Sequence, residues 1–123
     1  MNTIVSFKLA KLLKEKGFDE HCLQCYAEER LIDKMTGGDI FTGIYRLCTK
    51  SRFHKRYYSA PTIAEVVMWL YEKHDIWIVA FPTEQDWTFD IFKGLDCVKS
   101  ESFFNSPKKA YEAAIEYALN NLI

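Results

Sequence analysis

The sequence predicts an α+β fold: an antiparallel sheet with helices packed mainly on one face, in the order α-β-β-α-β-β-β-α. Three observations carry this expectation. Thr62-Ile63-Ala64-Glu65 has the form of a capping box and opens an amphipathic segment. Three strand candidates, 76–82, 87–93 and the more polar 97–104, follow with gaps short enough for hairpin turns, so they should pair as antiparallel neighbours. Ser106-Pro107 then opens an alanine-rich segment that runs to the end of the chain, with proline where a missing N–H does no harm.

The first element in chain order is a short helix over Phe7 to Lys16. Leu9, Leu12 and Leu13 recur at helical spacing, with Lys8, Lys11 and Lys14 on the other side. Ser6 can cap its start, and Gly17 can end it in a left-handed conformation that folds Phe18 back onto it. Residues 22–28 and 40–48 read as a strand pair, because the second is rich in β-branched and aromatic residues and Gly37-Gly38-Asp39 supplies turn chemistry between them. The helix opened by Thr62 should reach about His74, with Ile63, Val66, Val67 and Leu70 on one face. Residues 76–82 are apolar throughout, the expectation for a central strand buried on both faces. In 87–93 the residues Trp87, Phe89 and Ile91 alternate with Thr88 and Asp90, the pattern of a half-buried strand. Trp69, Trp77 and Trp87 are all read as core packing.

Length and composition bound what the chain can be. With 123 residues it fits a single domain over 1–123 whose centre is the helix–meander–helix stretch 62–122. An apolar share of 49% supplies a core and excludes wholesale disorder. The net charge of −1 gives no global attraction for a polyanion, so nucleic-acid binding would need a local patch. The N-terminal residues lack the pattern of a secretory leader, and no apolar run approaches the ~20 residues that span a bilayer. A cytoplasmic location with all cysteines as free thiols is therefore expected, and no membrane partner.

No catalytic constellation is legible. Cys22-Leu23-Gln24-Cys25 is one pair where a structural zinc site commonly needs two, and on a strand the two side chains would point to opposite faces. His21, His54 and His74 fall in separate segments, no glycine-rich phosphate loop is present, and neither a metal, a cofactor nor an enzyme is expected. The segment 50–58 is the one candidate site. Lys50, Arg52, Lys55 and Arg56 are interleaved with Phe53, Tyr57 and Tyr58, which suits phosphate contacts with base stacking. The same residues also suit a solvated polar loop with its rings packed inward.

Two resemblances follow. The order of residues 62–122, together with Ser106-Pro107-Lys108-Lys109-Ala110-Tyr111-Glu112-Ala113-Ala114, resembles a double-stranded RNA-binding domain. The resemblance implies that fold, and implies a phosphate-gripping role for Lys108. Pro107 and Tyr111 stand where that family has lysines, which removes most of the charge the family uses. Ala10–Phe18, Ala60–Val66 and Trp69–His74 look like small uncharacterised proteins of bacterial prophages and mobile elements, which implies a bacterial or phage origin and no assigned site.

The expectation for function is thus a non-enzymatic binding or accessory module of a bacterial or phage mobile element, working through a protein or nucleic-acid surface. The alternative is a nucleic-acid binder using Lys50, Arg52, Lys55, Arg56, Tyr57 and Lys108, with Arg52 and Arg56 facing solvent. The capping box gives a direct test of the fold: Thr62→Ala should lower stability by about 1 kcal/mol in chemical denaturation, and an unchanged midpoint would place the helix start elsewhere.

Overall fold

The computed structural model describes residues 3–20, 22, 24–27, 30–33 and 57–123. It is an α+β protein with antiparallel sheets, made of two compact units, Ile4–Pro61 and a second comprising Thr62–Ile123 with the N-terminal Met1–Thr3. The second unit coincides with the helix–meander–helix stretch.

In the first unit, α1 (Phe7–Glu15) is capped as its sequence requires: the Ser6 hydroxyl accepts from the Leu9 N–H at 3.3 Å. At its other end Gly17 takes φ +92°, its N–H bonding Lys14 O at 3.2 Å and the Phe18 N–H bonding Leu13 O at 2.9 Å. This paired closure satisfies carbonyls that the helix leaves open and brings the buried Phe18 back to Leu13.

The unit's sheet has the order β2-β1-β3, from β1 (Gln24–Ala27), β2 (Arg30–Asp33) and β3 (Tyr57–Ser59), all antiparallel. Phe7 of α1 packs edge-on against Tyr26 and Tyr58, at 5.4 and 5.5 Å between ring centres. The Tyr26 hydroxyl, beside this cluster, donates to Val5 O at 2.8 Å.

Here the structure departs from the expected pairing. β1 is shorter than 22–28, and its described partners are β2 and β3. The proposed partner strand at 40–48 lies outside the described residues, as does the Gly37-Gly38-Asp39 turn. β2 carries a charged residue at each end, Arg30 and Asp33, and so gave no run of β-formers to read.

In the second unit, α2 (Ile63–His74) begins with the full capping box. The Glu65 N–H donates to Thr62 Oγ1 at 3.2 Å, and the Thr62 N–H to Glu65 Oε1 at 3.0 Å. It ends at Asp75 in the left-handed region.

The meander β4 (Ile76–Pro82), β5 (Trp87–Lys93) and β6 (Asp96–Phe104) forms a sheet in sequence order, and α3 (Pro107–Asn121) follows with Ser106 as its N-cap. Ile76 and Ile78 pair across to Lys93 and Ile91, and Ala80 to Phe89. Ile76, Ile78, Phe89 and Ile91 are fully or almost fully buried. α2 and α3 both contact β4, α3 reaches β5 and β6, and Ala110, Ala114 and Ala118 are fully buried along α3. These small side chains, four apart on one helix face, allow α3 to lie close to the sheet.

β4 is not a central strand. It lies at the sheet edge, and Trp77 and Phe81 remain 39% and 37% exposed. Successive strand residues point to opposite faces, so a run that is apolar throughout still buries every second residue when only one face is covered. Trp77 is accordingly not core, whereas Trp69 is buried.

Candidate functional site

The outward face of the second sheet carries the site. Trp77 and Val79 leave β4 on that face, and the register sets Phe92 of β5 beside Trp77 and Asp90 beside Val79. The turn after β5 bends at Gly94, φ +63°, and presents Leu95 at 99% exposure. From the other side α2 contributes Met68 and Tyr71, three residues apart and therefore neighbours on the helix surface.

Tyr71 meets Trp77 edge to face, 5.2 Å between centres and 74° between planes. Together Met68, Tyr71, Trp77, Val79, Phe92, Gly94 and Leu95 line an open groove of about 700 Å³. A volume of this order is typical of ligand sites, and so is a lining of aromatic and aliphatic side chains.

The charges of the strands separate by face. Lys93 pairs with the buried Ile76, Lys99 with the buried Ile91 and Glu101 with the buried Phe89. The Lys99 ammonium accordingly sits 5.2 Å from the centre of the Tyr117 ring on α3. The Lys93 ammonium donates to His74 O at 2.7 Å, an arrangement that suits the negative end of α2. Burial, and then the positive charge of Lys93, hold the His74 imidazole below its ordinary 6.5. Asp90 is left on the outward face, its carboxylate accepting from the Ser100 hydroxyl at 2.6 Å.

Of the residues expected to bind nucleic acid, Lys50, Arg52, Lys55 and Arg56 lie outside the described residues, together with His21 and His54. Tyr57 falls in β3, where its backbone pairs with Ala27. Its neighbour Tyr58 packs against Phe7 with the Lys14 ammonium 4.7 Å from its ring centre, and burial lowers the pKa of that lysine. Lys108 is exposed in the first turn of α3.

Lys108 and the segment 50–56 belong to different units, and the units differ in charge. Ile4–Pro61 has eleven basic and seven acidic side chains, whereas Thr62–Ile123 has five basic and ten acidic, a net −5. The stretch that resembles an RNA-binding domain is therefore acidic, a composition that repels phosphate.

The groove residues were missed from sequence because Trp77 and Val79 belong to an apolar run and Met68 and Tyr71 to a mostly apolar helix. Leu95 was the available signal, an apolar side chain at the tip of a tight turn.

Among the described cysteines, Cys25 departs from expectation. Cys22 and Cys97 are thiols outside any disulfide, but Cys25 is disulfide-bonded. Spacing within 22–28 describes only what neighbours in sequence can do and is silent on what the fold brings to Cys25. Among the described residues no group of three or more His, Cys, Asp or Glu is placed to hold a metal ion. No described helix is long and apolar enough to cross a membrane. No protein-family model matches the chain, and neither does a curated protein or a solved structure.

The His74 environment makes a titration prediction. Its folded pKa lies below the unfolded value, so its contribution to stability is complete above about pH 6.5 and is lost as pH falls through the lowered value. NMR titration should place His74 below 6.5, with Lys93→Met moving it part of the way back. An unshifted histidine would mean that neither the burial nor the Lys93 charge acts on this imidazole.

Proposed function

We propose that this chain is a non-enzymatic binding module working through the outward face of its helix–meander–helix unit. One observation carries the reading: Met68, Tyr71, Trp77 and Leu95, large side chains at 44, 51, 39 and 99% exposure, converge on a single groove instead of lying scattered. Single exposed apolar residues are ordinary on a protein surface, but a contiguous set of them marks a place where something docks. On the same sheet face the Ser100 hydroxyl donates to Asp90, an arrangement that supports binding over acid–base catalysis. The likeness to prophage proteins would make it an accessory module of a bacterial or phage mobile element.

A neutral solvatochromic dye tests the reading. Its emission should shift to the blue and saturate with the native chain. Leu95→Ser should weaken that binding severalfold without altering stability, since Leu95 is 99% exposed. A dye left unchanged by the native chain, or bound equally by the variant, would overturn it.

The charge division favours a second reading, nucleic-acid binding by the unit Ile4–Pro61, which has a net +4 and contains Lys50, Arg52, Lys55 and Arg56. Fluorescence anisotropy against duplex RNA, duplex DNA and single strands should then show affinity that falls steeply with salt and is lost when those four residues become alanine. No binding at low salt would remove this reading.

A further inference from the structure

Resting on the binding-module reading, we infer that the groove takes an extended peptide segment of a partner protein in which a cationic side chain stands between apolar ones. Size, lining and charge each bear on the occupant. A trough of about 700 Å³ running from α2 across β4 to β5 exceeds a single side chain and suits a short stretch of chain.

Its lining has three rings, Tyr71, Trp77 and Phe92, beside the adaptable thioether of Met68. Ring faces attract lysine ammonium and arginine guanidinium groups, tryptophan most strongly, while the same rings bury aliphatic side chains.

Charge selects the sign. On β4, β5 and β6 the residues Lys93, Asp96, Lys99 and Glu101 all pair with positions of the helix-covered face, so Asp90 is the one charged strand residue on the outward face. At the α2 end the Lys93 ammonium is turned to the His74 carbonyl, while Asp75 Oδ2 lies 3.7 Å from where a Cβ on the groove residue Gly94 would stand. An acidic segment would meet like charge here. A purely apolar one would cover Asp90 and Asp75 without bringing a charge to offset their desolvation, whereas a cation both pairs with them and stacks on the rings.

The test is calorimetric titration of the full chain with three capped pentapeptides, alternating leucine with arginine, with glutamine or with glutamate. Light scattering is recorded at the same concentrations. The arginine peptide should bind at least about tenfold more tightly than the glutamine peptide, and the glutamate peptide should not bind. Asp90→Asn and Asp75→Asn should each narrow the arginine-to-glutamine ratio. The second keeps a residue that tolerates the left-handed conformation at position 75 and so leaves the fold intact.

Equal binding of the arginine and glutamine peptides would overturn the choice of a cation and leave the binding-module reading standing. Failure of every peptide to bind while the dye binds would overturn the peptide, and failure of both would overturn the reading beneath it. A concentration-dependent dimer that Leu95→Ser abolishes would give the groove to a second copy and would also overturn the inference.

Discussion

A three-stranded sheet has two faces, and in the helix–meander–helix unit α2 and α3 supply the cover for one. Most of the second unit follows from that. Ile76, Ile78, Phe89 and Ile91 are buried because they share the covered face, and Ala110, Ala114 and Ala118 are small because α3 must come close to it. Lys93 and Lys99 start from the same face and extend their ammonium groups to its margin, one to a helix-end carbonyl and one to a tyrosine ring. Trp77, Val79 and Phe92 are left on the other face by the same period of two. Burying one of these large side chains would contribute about 1.5–3 kcal/mol, and leaving them partly exposed forgoes some of that stabilisation. An exposed aromatic strip kept at such a cost is best understood as a surface that is covered by something else.

The division into units of opposite net charge changes how the basic segment is weighed. Over the whole chain the charges nearly cancel, and the −1 total hides a +4 unit and a −5 unit. Any attraction for phosphate therefore belongs to Ile4–Pro61, while the acidic face belongs with the groove. Lys108, the lysine singled out by the resemblance to an RNA-binding domain, stands in the acidic unit, where ten carboxylates outnumber five basic side chains. The two binding readings are thus separable by unit as well as by chemistry.

Much of the second unit was legible in the sequence. Thr62 and Glu65 marked the start of α2, the short gaps the two hairpin turns, and Ser106-Pro107 the start of α3, because each is a local requirement met by adjacent residues. What escaped was not local. Whether Trp77 is core or surface depends on whether a second layer covers β4, and an apolar run is compatible with both. In the first unit β1 pairs with β2 and with β3, and the pairing with Tyr57–Ser59 spans some thirty residues of chain that no turn motif announces. The disulfide at Cys25 likewise depends on long-range proximity. The groove was invisible for a related reason: its walls come from a helix, two strands and a turn, and each of those side chains alone has an ordinary core explanation.

The central claim is that the sheet of the second unit is covered on one face only, and adjacent positions of β4 test it most directly. Ile78 is 2% exposed and faces the helices, while Val79 is half-buried on the groove side. Threonine at either site keeps a β-branched side chain, so chemical denaturation of Ile78→Thr and Val79→Thr compares the two faces with strand propensity held nearly constant. The account predicts a loss of about 2–4 kcal/mol at position 78, from lost packing and a buried hydroxyl, and under about 1 kcal/mol at position 79. Equal losses, or a larger one at 79, would mean that both faces are covered, and the groove would cease to be a surface.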